Sequence, residues 1–192
     1  MVVVPPRVSE AELAELHAAG ARGVRFNLAS PAGNRLDGFH DIVAKIASLG
    51  WHVQFFIEPH VLDEISRLRG TTTIPFVLDH FGGLSPATGE KELQKALKLL
   101  DRGDCWIKLS GFYRLARISG SSYSDMDALT VALGKHAPER AVWGSDWPHT
   151  WSFDGKHGAG PAYGDILAPI LRGFAEATQR LILHDNPRVL YG

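Results

Sequence analysis

Val2-Val3-Val4-Pro5-Pro6-Arg7-Val8-Ser9 opens the chain with a β-branched run, and the residues just after that run separate two parallel-sheet folds. An open doubly wound sheet places a glycine-rich phosphate loop, G-x-G-x-x-G, after its first strand; here two prolines and an arginine stand in that place. In a closed barrel the functional groups project instead from the C-terminal ends of many strands. Outward from this stretch, the chain shows the second pattern. Ser9-Glu10-Ala11-Glu12 has the form of a capping box and starts an Ala/Leu/Glu helix that Gly20 stops. Further strands are predicted at 23–27, 51–57, 74–78, 106–109 and 141–143, which with 2–4 makes six. Helices are predicted at 40–49, 59–68, 90–100, 125–135 and 165–177, and Asn186-Pro187 begins a short terminal one.

Alternating strands and helices at this spacing require a parallel sheet with right-handed crossovers. The strand ends carry Arg25 and Asn27, Glu58, Asp79 and His80, Lys108 and Ser110, then Ser145 and Asp146. The expected fold class is therefore α/β, a TIM-like (β/α)8 barrel with about six of its eight βα units present, as one partial domain over residues 1–192. No repeat supplies the other two units, so either they lie upstream of Met1, an N-terminal truncation, or the barrel is open at one edge.

Composition narrows the function classes. The 20 Lys and Arg nearly balance 21 Asp and Glu, and 45% of residues are hydrophobic, which argues against disorder and against nucleic acid as a partner. No apolar run approaches the roughly 20 residues of a bilayer span, and the first residues lack the basic region of a signal peptide. No membrane partner is expected. A single cysteine, Cys105, sits in an apolar run and is expected reduced and buried, in keeping with a cytoplasmic location.

The stretch Val142-Trp143-Gly144-Ser145-Asp146-Trp147-Pro148-His149 delivers Asp146 at a strand end between two tryptophans, poised as a base or a metal ligand; the competing reading is a turn aspartate. In Asp79-His80-Phe81-Gly82-Gly83, His80 is placed to ligate a metal or polarise a carbonyl, or to serve as a structural hydrogen-bonding residue. Strand alternation places Asp79 on the opposite side from it. Arg25 lies within an otherwise apolar strand, so it must meet an internal carboxylate or a bound anion. Arg114 comes after Ser110-Gly111-Phe112-Tyr113 in a loop and can reach the same mouth or stand as a solvated charge; two converging arginines favour a carboxylated substrate. Lys108 shares a face with Ser110 and is as well explained by a structural ion pair. Gly155-Lys156-His157-Gly158-Ala159-Gly160 reads as a loop able to act as a lid. There is no G-x-S-x-G elbow, H-x-H, H-E-x-x-H or C-x-x-C.

In order along the chain, Gly23-Val24-Arg25-Phe26-Asn27, Gly50-Trp51-His52-Val53-Gln54, Asp79-His80-Phe81-Gly82-Gly83, Trp106-Ile107-Lys108-Leu109-Ser110-Gly111-Phe112-Tyr113-Arg114, Glu139 to His149 and Asp185 to Gly192 resemble the amidohydrolase-related family. The similarity is greatest to the branch of 2-pyrone-4,6-dicarboxylate hydrolases and related lactonases. The resemblance spans nearly the whole chain and implies a hydrolytic site at the C-terminal mouth of a barrel. It implies Asp146 as the water-activating aspartate and His80 as the mid-barrel histidine. Arg25 and Arg114, with Asn27 and His149 around them, are the implied substrate-binding residues. Some branches use a divalent metal such as zinc, which would fall to His80 and Asp146; the pyrone dicarboxylate branch works without one. Two departures stand out: the family's first-strand His-x-His pair is absent, and Phe55-Phe56 stands where the lactonase branch tends to carry tyrosine. The expected activity is hydrolysis of the ester of a small carboxylated lactone. The alternative is an inactive or truncated barrel remnant that binds ligands, or that associates with a partner, including a second copy of itself.

Overall fold

The computed structural model describes residues 1–30, 34–118, 122–150 and 160–192. Five parallel strands, β1 (Gly23–Asn27), β2 (His52–Phe56), β3 (Phe76–Leu78), β4 (Cys105–Ser110) and β5 (Ala141–Gly144), pair in sequence order β1-β2-β3-β4-β5. This is the progression of a barrel wall; a doubly wound sheet would reverse direction partway. The expected strand at 2–4 is reduced to a single parallel bridge, Val2 to Val24. Val2 N–H donates to Gly23 O and Arg25 N–H to Val2 O, but Pro5 and Pro6 bring no N–H to extend the ladder.

Nine α-helices among the described residues complete the βα rhythm: α1 (Glu10–Ala18), α2 (Phe39–Ala47), α3 (Leu62–Arg69), α4 (Glu90–Asp101), α5 (Phe112–Leu115), α6 (Asp127–His136), α7 (Tyr163–Gly173), α8 (Glu176–Arg180) and α9 (Asn186–Tyr191). The capping box of α1 is formed, with Ser9 Oγ accepting from Glu12 N–H and the Glu12 carboxylate accepting from Ser9 N–H at 2.8 Å. The helix expected at 165–177 ends at Gly173, where Phe174 turns extended; Phe174 then packs over Gly134, where a Cβ would stand 2.4 Å from the ring.

Strand alternation sorts the side chains. Val24, Phe26, Val53, Phe55, Phe76, Leu78, Ile107 and Leu109 enter one core with Phe39, Ile42, Ile46, Ile65 and Leu100 of the helices. Cys105 is in that core, and burial pushes its thiol up to about 12, so it packs as a small apolar group. On the other face Val77, Trp106 and Val142 form a separate apolar layer packed by Leu190 of α9. The same face carries Arg25 and Gln54 in register with Val77 and Trp106, then Phe56, Asp79 and Lys108 two residues further on and Ser110 beyond them. The sheet is thus apolar toward its helices and polar toward the C-terminal ends of its strands. The glycine-rich stretch proposed as a lid lies, apart from Gly160, outside the described residues.

Candidate active site

Asp79 is the buried centre of the polar layer. It leaves β3 at 1% exposure, and its Oδ2 accepts from Arg25 Nε at 3.1 Å, Arg25 Nη2 at 2.5 Å and Gln54 Nε2 at 2.9 Å. Lys108 Nζ faces its Oδ1 at 3.4 Å. Burial opposes ionisation of Asp79, but His80, Lys108 and Arg25 around it prevail and hold the carboxyl below its ordinary range. The demand that Arg25 meet an internal carboxylate is therefore met, and Lys108 joins the same pairing. Phe56 lies beneath, its ring centroid 5.0 Å from Arg25 Cζ and 6.0 Å from Arg114 Cζ.

Contrary to the alternation predicted for a strand, Asp79 and His80 do not face opposite sides, because the strand ends at Leu78 and His80 adopts φ 48° in a tight 3₁₀ turn. His80 Nε2 lies 3.5 Å from Asp79 Oδ2 and equally 3.5 Å from Asp146 Oδ1, while Nδ1 lies 2.9 Å from Ser110 Oγ. Burial pushes the imidazole below its ordinary value, against the pull of Asp79 and Asp146. The Phe56 ring stands perpendicular to it at 5.0 Å.

Asp146 comes after β5 at φ 59°, and its Oδ2 accepts from Tyr113 Oη and Arg114 Nε, each at 2.7 Å. Burial raises the Asp146 carboxyl, but His80, Tyr113 and Arg114 outweigh it and keep it below the usual value. Arg114 lies in α5, not in a loop, with Nη2 also donating to Thr150 Oγ1 at 3.3 Å. His149 Nε2 donates to the Ser145 carbonyl at 3.0 Å and its ring packs edge-on to Tyr113 at 5.7 Å. Asn27 binds the Asn34 side chain through its N–H at 2.8 Å, and its buried Oδ1 has no hydrogen-bond partner among the described residues.

The structure therefore brings Asp146, His80, Arg25 and Arg114 together, with Asn27 and His149 at the flanks. Sequence reasoning missed Gln54 and Tyr113. Gln54 sits two residues before Phe56, so alternation alone could have put it on the polar face. Tyr113 meets Asp146 only through tertiary structure. As for a metal, no group of three or more His, Cys, Asp or Glu side chains among the described residues is arranged to hold one. Asp79 is committed to Arg25 and Gln54, so His80 and Asp146 offer two donors, short of a closed first shell.

Known proteins share both the sequence pattern and the fold. The family model described as Amidohydrolase matches residues 1–192. The chain is 35% identical over 199 residues to 4-sulfomuconolactone hydrolase of Hydrogenophaga intermedia, covering 100% of this chain and 64% of that protein. It is 31% identical to 2-pyrone-4,6-dicarboxylate hydrolase of Comamonas testosteroni, covering 100% of this chain and 66% of that one. A crystal structure from Acinetobacter baumannii, described as a probable 2-pyrone-4,6-dicarboxylic acid hydrolase with citric acid bound, superposes with a TM-score of 0.80 at 33% identity, over 100% of this chain and 72% of the other. The chain thus spans about two thirds of the length of these relatives.

Proposed function

This chain belongs to the Amidohydrolase family, and from that premise we propose that it carries the catalytic face of a hydrolase that opens the ester of a small carboxylated lactone. The observation that carries the reading is the orientation of Asp146: Tyr113 and Arg114 hold Oδ2, while Oδ1 faces His80. In the reaction Asp146 takes a proton from water as that water attacks the lactone carbonyl. His80 stabilises the oxygen that becomes negative, and collapse of the tetrahedral adduct breaks the ring C–O bond; the departing oxygen recovers the proton. Arg25 and Arg114 hold the substrate's carboxylates, and Asn27 and His149 complete the binding set. Arg25, Lys108 and Arg114 set against Asp79 and Asp146 give these residues an excess of positive charge, which suits an anionic substrate. The relatives' substrates support the same class, since the names of two of them specify a sulfonated lactone and a pyrone dicarboxylate.

The test is Asp146→Asn, assayed on 2-pyrone-4,6-dicarboxylate and on 4-sulfomuconolactone. Turnover is expected to fall by about 10³-fold or more while substrate binding persists, the pattern of a lost interaction specific to the transition state. Undiminished turnover would remove Asp146 from the role of base.

A further inference from the structure

His80 and Ser110 are both buried, at 2% and 0% exposure, so the hydrogen between them is settled by protein groups and not by bulk water. On one side of the imidazole, two carboxylate oxygens, Asp79 Oδ2 and Asp146 Oδ1, stand 3.5 Å from Nε2. Ionised carboxylates only accept hydrogen bonds, so a lone pair on Nε2 would confront two negative oxygens, whereas a hydrogen there meets two acceptors. On the other side, Ser110 Oγ lies 2.9 Å from Nδ1, and a hydroxyl can turn its hydrogen toward a ring lone pair. The backbone makes room for this contact: Gly111 has φ +66°, and a Cβ there would stand 2.7 Å from Nδ1.

We infer that Ser110 is a positioning residue: its hydroxyl donates to Nδ1 of His80 and holds the imidazole as the Nε2–H tautomer, with that hydrogen aimed at the gap between Asp79 and Asp146. The consequence for turnover rests on the lactonase reading. In that reading His80 is a hydrogen-bond donor to the carbonyl oxygen throughout and never competes with Asp146 as base. The opposite tautomer, Nδ1–H donating to Ser110, would leave a lone pair on Nε2, the arrangement a metal-ligating histidine requires.

Long-range ¹H–¹⁵N correlation on the ¹⁵N-labelled protein reads the tautomer directly, without substrate, with His80 assigned through His80→Gln. The expected result is a protonated Nε2 and an unprotonated, hydrogen-bonded Nδ1 at pH 7. In Ser110→Ala the Nδ1 resonance should shift as its donor is lost. On a lactone substrate kcat should fall about 10-fold with KM within about 2-fold, the scale of one hydrogen bond, and Ser110→Thr should restore both. A protonated Nδ1 in the unmodified protein would overturn the proposal. So would a folded Ser110→Ala protein, checked by circular dichroism, with Nδ1 unmoved. Absence of lactone turnover in the unmodified protein would count against the function and leave the tautomer result standing.

Discussion

His52 shows how a single buried group ties the stability of the protein to pH. It lies at 2% exposure on the same face as Gln54 and Phe56, and its Nε2 has no hydrogen-bond partner among the described residues. Burial, with the positive charge of Lys108 contributing, pushes its pKa to about 4, from an ordinary 6.5. Between those values the unfolded chain binds the proton and the folded chain does not, so stability falls as pH is lowered through that window. The slope should approach about 1.4 kcal/mol per pH unit. Urea midpoints at several pH values between 7 and 4 should show it, and His52→Phe should flatten it; an unchanged slope would contradict the assignment. Asp79 and Asp146 act in a lower window. Their carboxyls are depressed below 3.8, so their contribution is present above that value and is lost as pH falls through the folded-state pKa. Of these residues, the sequence marked Asp79, His80 and Asp146 as polar groups at strand ends. It could not mark Tyr113 as their partner, because a tyrosine beside Arg114 has no local signature distinguishing it from an ordinary packing residue.

At the scale of elements, the clearest local signals became structure. Ser9 and Glu12 cap α1 reciprocally, on a helix whose only buried residue is Leu13. Ser9→Ala should therefore cost about 1 kcal/mol, read as a lowered urea midpoint, because little packing compensates for a lost cap there. Strand β1 runs over the predicted residues, and the other strands fall within two residues of expectation at either end. The departures occur where backbone geometry overrides pattern. The prolines reduce the first run to a bridge, Phe174 divides the helix after β5, and the turn after Leu78 brings His80 to the same side as Asp79. That turn contains consecutive left-handed residues, His80, Phe81, Gly82 and Gly83, of which the sequence advertises only the glycines.

For the whole molecule, the C-terminal segment is what ties the last strand into place. Asn186, at 4% exposure, donates through Nδ2 to the carbonyls of Pro138 and Ala141, both at 2.7 Å, while Leu190 covers Val77, Trp106 and Val142. Asn186→Ala leaves two carbonyls without that donor and should lower unfolding free energy by about 1–3 kcal/mol; a denaturation curve superposable on that of the unmodified protein would contradict this. No helix among the described residues is long and apolar enough to cross a membrane. The sequence by itself determined the βα alternation, the parallel sheet and the strand ends on which the candidate chemistry stands, because periodicity, caps and turn residues act over a few neighbouring positions. Only the tertiary structure decided which of those groups meet. Arg25 with Asp79, Tyr113 and Arg114 with Asp146, and Ser110 with His80 are pairs separated by 30 or more residues, and they form because parallel strands in register bring the ends of β1, β3, β4 and β5 to one mouth.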